Sequence, residues 1–180
     1  MASSRSVRPT PAEEAVALPG DDIVPSANVV MDRAFTLAAS PDEVWPWFVQ
    51  LGKRRAGWYL PRSVERLIPR SRRGLRHLDP TWQGLAVGDV IPDWGGKDET
   101  FTVAQLDPPT TIVHTSNRGK VALSWAISLT GDAGTTRVHL RLRLGGVKHL
   151  RLAELGGGFF DWLTIYGLAA GLRERGRDSR

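Results

Sequence analysis

A chain of 180 residues, 41% hydrophobic and 24% charged, is long enough for one ordinary domain with some chain to spare. This composition excludes a disordered chain, a collagen-like repeat and a disulfide scaffold, and the lack of cysteine excludes thiol catalysis, Cys-ligated zinc and iron–sulfur clusters. The formal charge of +5 is unevenly placed, because Lys53 to His77 hold nine Lys/Arg against one acid, Glu65, leaving the remainder net acidic.

Residues 1–27 mix Ser, Pro, Gly and acids with short apolar runs only. They predict a loose tail whose last part, Leu18 to Pro25, packs on the domain. No basic stretch leads into an apolar one with a cleavage site, so no secretory signal is expected and a cytoplasmic location is. One domain is expected over 28–176, with a short tail at 177–180.

Val30–Ala38 alternates, with Phe35 and Leu37 on one face and Ala34 and Thr36 on the other, which predicts a strand. Ser40-Pro41-Asp42-Glu43 then supplies an N-cap, a first-turn Pro and a capping-box Glu. Val44, Phe48 and Leu51 follow as a helix stripe, with Pro46 expected to kink or shorten the helix. A second short helix is expected at Pro61–Ile68.

Strands separated by turns follow residue 84. Phe101–Leu106 ends at Asp107-Pro108-Pro109, and Thr111–Ser116 at Asn117-Arg118-Gly119. Val121–Leu129 sets Leu123, Trp125, Ile127 and Leu129 on one face. Thr136–Leu144 alternates throughout: Val138, Leu140, Leu142 and Leu144 against Arg137, His139, Arg141 and Arg143. Such strands predict an antiparallel meander with one wet face carrying the arginines and a solvated His139. Leu155 to Leu172 has a single charge but five Gly and the internal Asp161, so it reads as an apolar core helix rather than a membrane span. That helix is expected from about Phe159 to Arg175, with Gly167 and Gly171 letting it approach the sheet. The fold class is therefore α+β: a curved antiparallel sheet wrapped around a long C-terminal helix, with two short helices after the first strand.

This order is the helix-grip arrangement, and local strings agree. LPGDDIVP (Leu18 to Pro25), SPDEVWPWFVQLG (Ser40 to Gly52), RAGWY (Arg55 to Tyr59) and VGDVIPD (Val87 to Asp93) resemble the bacterial SRPBCC superfamily, and so do the spaced Phe101 to Pro109, SWAISL (Ser124 to Leu129) and TTRVHLRLR (Thr135 to Arg143). That superfamily includes START-like lipid-binding and polyketide cyclase/dehydrase-like proteins. The resemblance implies an apolar cavity between sheet and terminal helix, but no single chemistry. Residues expected to line such a cavity are Phe101, Leu123, Trp125, Leu140 and Leu142 from the strands. Trp58, Tyr59 and Trp94 would join from loops, and Phe159, Leu163 and Tyr166 from the helix.

The four histidines (His77, His114, His139, His149) show no metal-binding spacing, and no G-x-S-x-G or dinucleotide fingerprint is present. No metal or other cofactor is expected. The weak catalytic candidates are His114, Asp93 and Tyr166, with Asp161 a further polar group on the last helix. If Ile112 points inward so does His114; if Val113 does, His114 lies outside. The basic stretch, with Arg62, Arg66, Arg70, Arg72 and Arg73, is either solvated surface or a rim around the cavity mouth facing an anionic membrane or acidic carrier protein. Nucleic acid is not expected, since no binding motif accompanies the charge. Two functions stay open: binding a small hydrophobic or amphipathic, lipid- or polyketide-like ligand, or acting on one as a cyclase or dehydratase.

Overall fold

The computed structural model describes residues 6–148 and 156–178. Strands β1 (Val29–Leu37), β2 (Val90–Pro92), β3 (Thr100–Asp107), β4 (Thr111–Arg118), β5 (Val121–Gly131) and β6 (Thr136–Gly145) form one curved antiparallel sheet. Their order is β1-β6-β5-β4-β3-β2. Helices α1 (Pro11–Ala15), α2 (Pro41–Gln50), α3 (Arg62–Glu65) and α4 (Gly158–Asp178) complete the α+β fold. The chain thus has the expected helix-grip architecture, with the long last helix packed against the sheet.

Local chemistry explains the elements. Ser40 accepts from the Glu43 N–H while the Glu43 carboxylate accepts from the Ser40 N–H, so both cap α2, which continues through Pro46 for ten residues. One face of the sheet buries Phe35, Leu37, Ile112, Ile127 and Leu140 against Val44 and Phe48 of α2 and Ile165, Leu168 and Leu172 of α4. Each such side chain contributes roughly 1.5–3 kcal/mol. Gly171 permits a close approach, as expected, but to a loop rather than the sheet: a Cβ there would stand 2.7 Å from the Leu60 nitrogen.

The opposite face departs from expectation. Arg137, His139, Arg141 and Arg143 do stand away from the core, but the face is not wet. Segment 6–28, expected as a loose tail, lies packed over it. Val7 is buried, and its carbonyl accepts from the Ala34 N–H at the free edge of β1. Arg141 is 4% exposed and donates to the Asp32 and Asp21 carboxylates and to the carbonyls of Glu13, Glu14 and Val16. His139, expected to be solvated, is buried 2.6 Å from Asp32, and Arg143 donates to the Val24 carbonyl. The acids of the tail and of β1 neutralise the basic stripe, which lets a backbone layer close over it.

Glu13 holds α1 in place. Its carboxylate accepts from both Nε and NH2 of Arg137, at 2.6 and 2.8 Å. Those bonds lower its pKa to about 2 from 4.5. A depressed carboxyl contributes its stability in full above the unfolded value and loses it as pH falls from about 4.5 towards 2. Glu13→Gln is expected to cost only about 1 kcal/mol while speeding amide exchange in α1 well beyond that in the sheet, as read by hydrogen-exchange mass spectrometry.

Candidate functional site: an aromatic pocket around His114

Register decides where His114 points. Ile112 pairs with Ile127, and His114 with Trp125, so the ring lies on the core face, and it is 6% exposed. It stacks on Trp125 at 5.4 Å and meets Phe101 edge-on at 5.8 Å. Trp125 stacks on Trp58 at 6.2 Å, and Trp58 meets Trp94 edge-to-face at 5.7 Å. With Phe48, Leu51, Ile91, Pro92 and Asp93 these rings enclose a pocket of about 50 Å³.

Each wall is fixed by its element. Trp58 follows Gly57, whose φ of 80° is open to glycine, and its Nε1 donates to the Thr164 carbonyl of α4 at 3.3 Å. Trp94 sits on the loop between β2 and β3 and is half exposed. That loop is latched at its base. Lys53 Nζ donates to the Asp93 carbonyl at 2.6 Å, and the Asp93 carboxylate accepts from Arg118 and from the Trp94 N–H. The Arg118 guanidinium in turn lies 5.3 Å over the Phe101 ring.

Burial drives His114 down from 6.5 to about 4, with a hydrogen bond to the Trp125 backbone opposing the shift and the Arg55 charge adding to it. The imidazole is neutral at physiological pH. Its Nδ1 is buried with no hydrogen-bond partner among the described residues. Since the folded pKa lies below the unfolded one, the folded state loses stability as pH falls from about 6.5 towards 4. An NMR titration should show the His114 ring signals unchanged from pH 8 to about 5.5.

The other expected residues are dispersed. Tyr59 is fully buried and donates to the Trp47 carbonyl at 2.8 Å, a core role. Leu123 and Leu140 are buried, and Leu142 is half buried on the same face. The first turns of α4 are not the apolar core helix expected: Phe159, Leu163 and Tyr166 are exposed. Phe159 and Tyr166, with Trp162, border a separate open cleft of about 1080 Å³ along β1. Arg33 of that cleft lies 2.9 Å from Asp161; burial raises the Asp161 pKa to about 6, against the pull of that arginine.

The arginines do not rim the pocket. Arg62 pairs with Asp178 at 2.9 Å, Arg73 donates to the Ile68 carbonyl, and Arg66, Arg70 and Arg72 are exposed; none of the five lines the pocket. The cause is Arg175, fully buried, which holds this segment to the far end of α4 through Glu65. Among the described residues no His/Asp/Glu group could hold a metal, and no helix is long and apolar enough to cross a membrane. His149 and Leu155 lie outside the described residues. Sequence reasoning missed Phe48, Leu51 and Ile91 as pocket walls, and Arg118, which gave no signal inside the turn Asn117-Arg118-Gly119.

No protein-family profile matches the chain, and no curated protein does. Solved structures do. A protein from Rhodobacter sphaeroides is 15% identical, with 83% of this chain and 94% of that one covered at a TM-score of 0.50. DynU16, a protein in the dynemicin biosynthetic locus, is 20% identical over 82% of this chain and 48% of its own, at 0.49. CalU16 from Micromonospora echinospora is 16% identical over 83% and 84%, at 0.46. At these identities the likeness concerns the fold alone.

Proposed function

We propose that this protein is a helix-grip binding protein of the SRPBCC type that holds a small, largely apolar molecule in the His114 pocket. The observation that carries this reading is a buried, unpartnered His114 Nδ1 set among four aromatic side chains and little else that is polar. Burying a polar atom without a partner costs about 1–3 kcal/mol, a cost that a partner supplied by a ligand would offset. Apolar walls with one or two placed polar groups are the usual make-up of a ligand site.

Cyclase or dehydratase chemistry needs an acid or base free to move a proton. The Asp93 carboxylate is engaged by Arg118 and the Trp94 N–H, Tyr166 borders the separate cleft, and His114 is a weak base at about 4. These features favour holding over turnover.

The pocket is small as it stands, since an aromatic ring needs a cavity of about 150 Å³. Trp94, half exposed on its loop, is the wall that can yield. Removing it opens the pocket without disturbing the core. Trp94→Ala is expected to lower stability by only about 1 kcal/mol and to tighten naphthalene binding roughly fivefold, the gain expected from a wall already out of the way. Titration followed by tryptophan emission measures both. Absence of saturable quenching in wild type and variant alike would contradict the reading.

A further inference from the structure

We infer that the end of the sheet at which α4 begins is a docking face for an anionic lipid surface. Docking there requires nothing of the His114 pocket, so it goes beyond the binding role and stands whether or not a ligand is held.

Register brings the parts together. Val29 pairs with Leu144, Ala122 with Gly145, Arg118 with Val121 and Pro92 with Thr100. The start of β1, the β4–β5 turn, the β2–β3 loop and the chain just past β6 therefore share one end of the sheet. Helix α4 starts at that end too. Arg33 donates to the Gly158 carbonyl, whereas Arg173, further along the helix, donates to the Thr36 carbonyl near the other end of β1.

All four lysines of the chain fall at this end. Lys97 stands in the β2–β3 loop, Lys120 in the β4–β5 turn and Lys148 just past β6, and each is exposed. None of these three makes an ion pair among the described residues. Lys53 joins them through the Asp93 carbonyl, with exposed Arg54 beside it. The acids nearby are mostly engaged: Arg118 takes Asp93 and Glu99, and Arg33 takes Asp161. Asp98 remains, so the face keeps a net positive charge.

Apolar side chains that the core does not use stand beside the lysines. Phe159 and Phe160 are 63% and 67% exposed, and Leu163 and Trp94 about half. Trp58 joins the two groups, since it meets Trp94 edge-to-face and donates to the Thr164 carbonyl one turn after Phe160. A patch of this kind marks a surface that meets something.

Lysine indicates what that is. Protein interfaces are enriched in Arg and depleted of Lys, yet the outward cations here are mainly lysines in a chain otherwise basic through arginine. A lysine stem lies along apolar surface while its ammonium reaches a phosphate, and Trp and Phe settle at headgroup depth. No helix among the described residues is long and apolar enough to cross a membrane, so the contact is peripheral. It would also set Trp94, the least covered wall of the pocket, against the lipid.

Flotation with vesicles of phosphatidylcholine alone, and of phosphatidylcholine with phosphatidylserine, provides the test. Wild type should float with the second and not with the first, and should release as salt shortens the screening length below about 8 Å. Lys97→Gln, Lys120→Gln and Lys148→Gln together should weaken binding on the order of a hundredfold, at about fivefold for each lysine near an anionic surface. Phe159→Ser with Phe160→Ser should weaken it about tenfold or more. Both variants should melt as wild type does, since the altered side chains are exposed. Arg66→Gln, Arg70→Gln and Arg72→Gln, on the segment held to the far end of α4, should float as wild type does, and so should His114→Phe. Several results overturn the inference: no flotation with either vesicle, equal flotation with both, or undiminished binding by the lysine variant. Loss of binding in the Arg66, Arg70 and Arg72 variant would move the contact to the basic segment and overturn it as well. A wild-type dimer that Phe159→Ser with Phe160→Ser turns into a monomer would assign the patch to a second copy of the chain, with the same consequence.

Discussion

Arg175→Met is expected to lower the free energy of unfolding by about 3–5 kcal/mol. The guanidinium is fully buried and donates to Glu65 at 2.7 Å and to the carbonyls of Leu75, Leu60, Gly74 and Gly171, while lying 4.6 Å over the Tyr59 ring. Removing it strands the 5%-exposed Glu65 carboxylate and several carbonyls in a space closed to water. Arg76 still reaches Glu65 at 3.0 Å, which softens the loss but supplies none of the carbonyl contacts. Glu65→Leu combined with Arg175→Met should recover part of the stability, since a buried pair replaced by apolar groups is often near neutral. Arg76 keeps Glu174 and Asp178 in that variant. Denaturant unfolding of the two single variants and the double yields the coupling directly. A change below 1 kcal/mol for Arg175→Met would mean that the basic segment is not tied to α4 as described.

The second large effect is Trp125→Ala, which should cost about 3 kcal/mol, the lower end of the range for a large aromatic because the ring is only partly buried. Trp125 touches Trp58, Phe101 and His114, so it is the common member of the pocket wall. Its loss admits water to His114 and relieves the desolvation that holds that group at about 4. The His114 titration should therefore move upward towards 6.5. A stability loss with no movement of the titration would show that something other than Trp125 keeps the imidazole dry.

Much of this architecture is legible in the residues. Alternation over Val121–Leu129 and Thr136–Leu144 announces strands β5 and β6, and Ser40-Pro41-Asp42-Glu43 announces α2, because caps and period-two patterns are local. Thr10-Pro11-Ala12-Glu13 carries the same capping signature, and α1 forms there with Thr10 and Glu13 capping one another. Without an apolar stripe behind it, the string reads as tail. β2, three residues long, is too short for periodicity to register.

The outer face misleads for a different reason. Alternating arginines look solvated until the acids of a distant segment are laid over them, and Asp32 opposite Arg141 is a fact of register, not of either strand alone. The same holds for His114, whose direction depends on pairing with β5. The basic stretch suggests a rim by its charge, yet its position is set by Arg175, a hundred residues on in the chain. Trp58, Trp94, Phe101 and Trp125 were recognisable as wall residues because inward aromatics after a turn or on a core face have few other places to go.

The central claim is that the space beside His114 holds a ligand, and native mass spectrometry of the protein freshly purified under mild conditions tests it most directly. Wild type is expected to carry, at least in part, an added mass from a small, largely apolar compound, and His114→Phe, folded to the same extent, to carry less of it. A wild-type spectrum showing only the bare chain, even after incubation with naphthalene, would contradict the binding reading and leave the aromatic cluster as core.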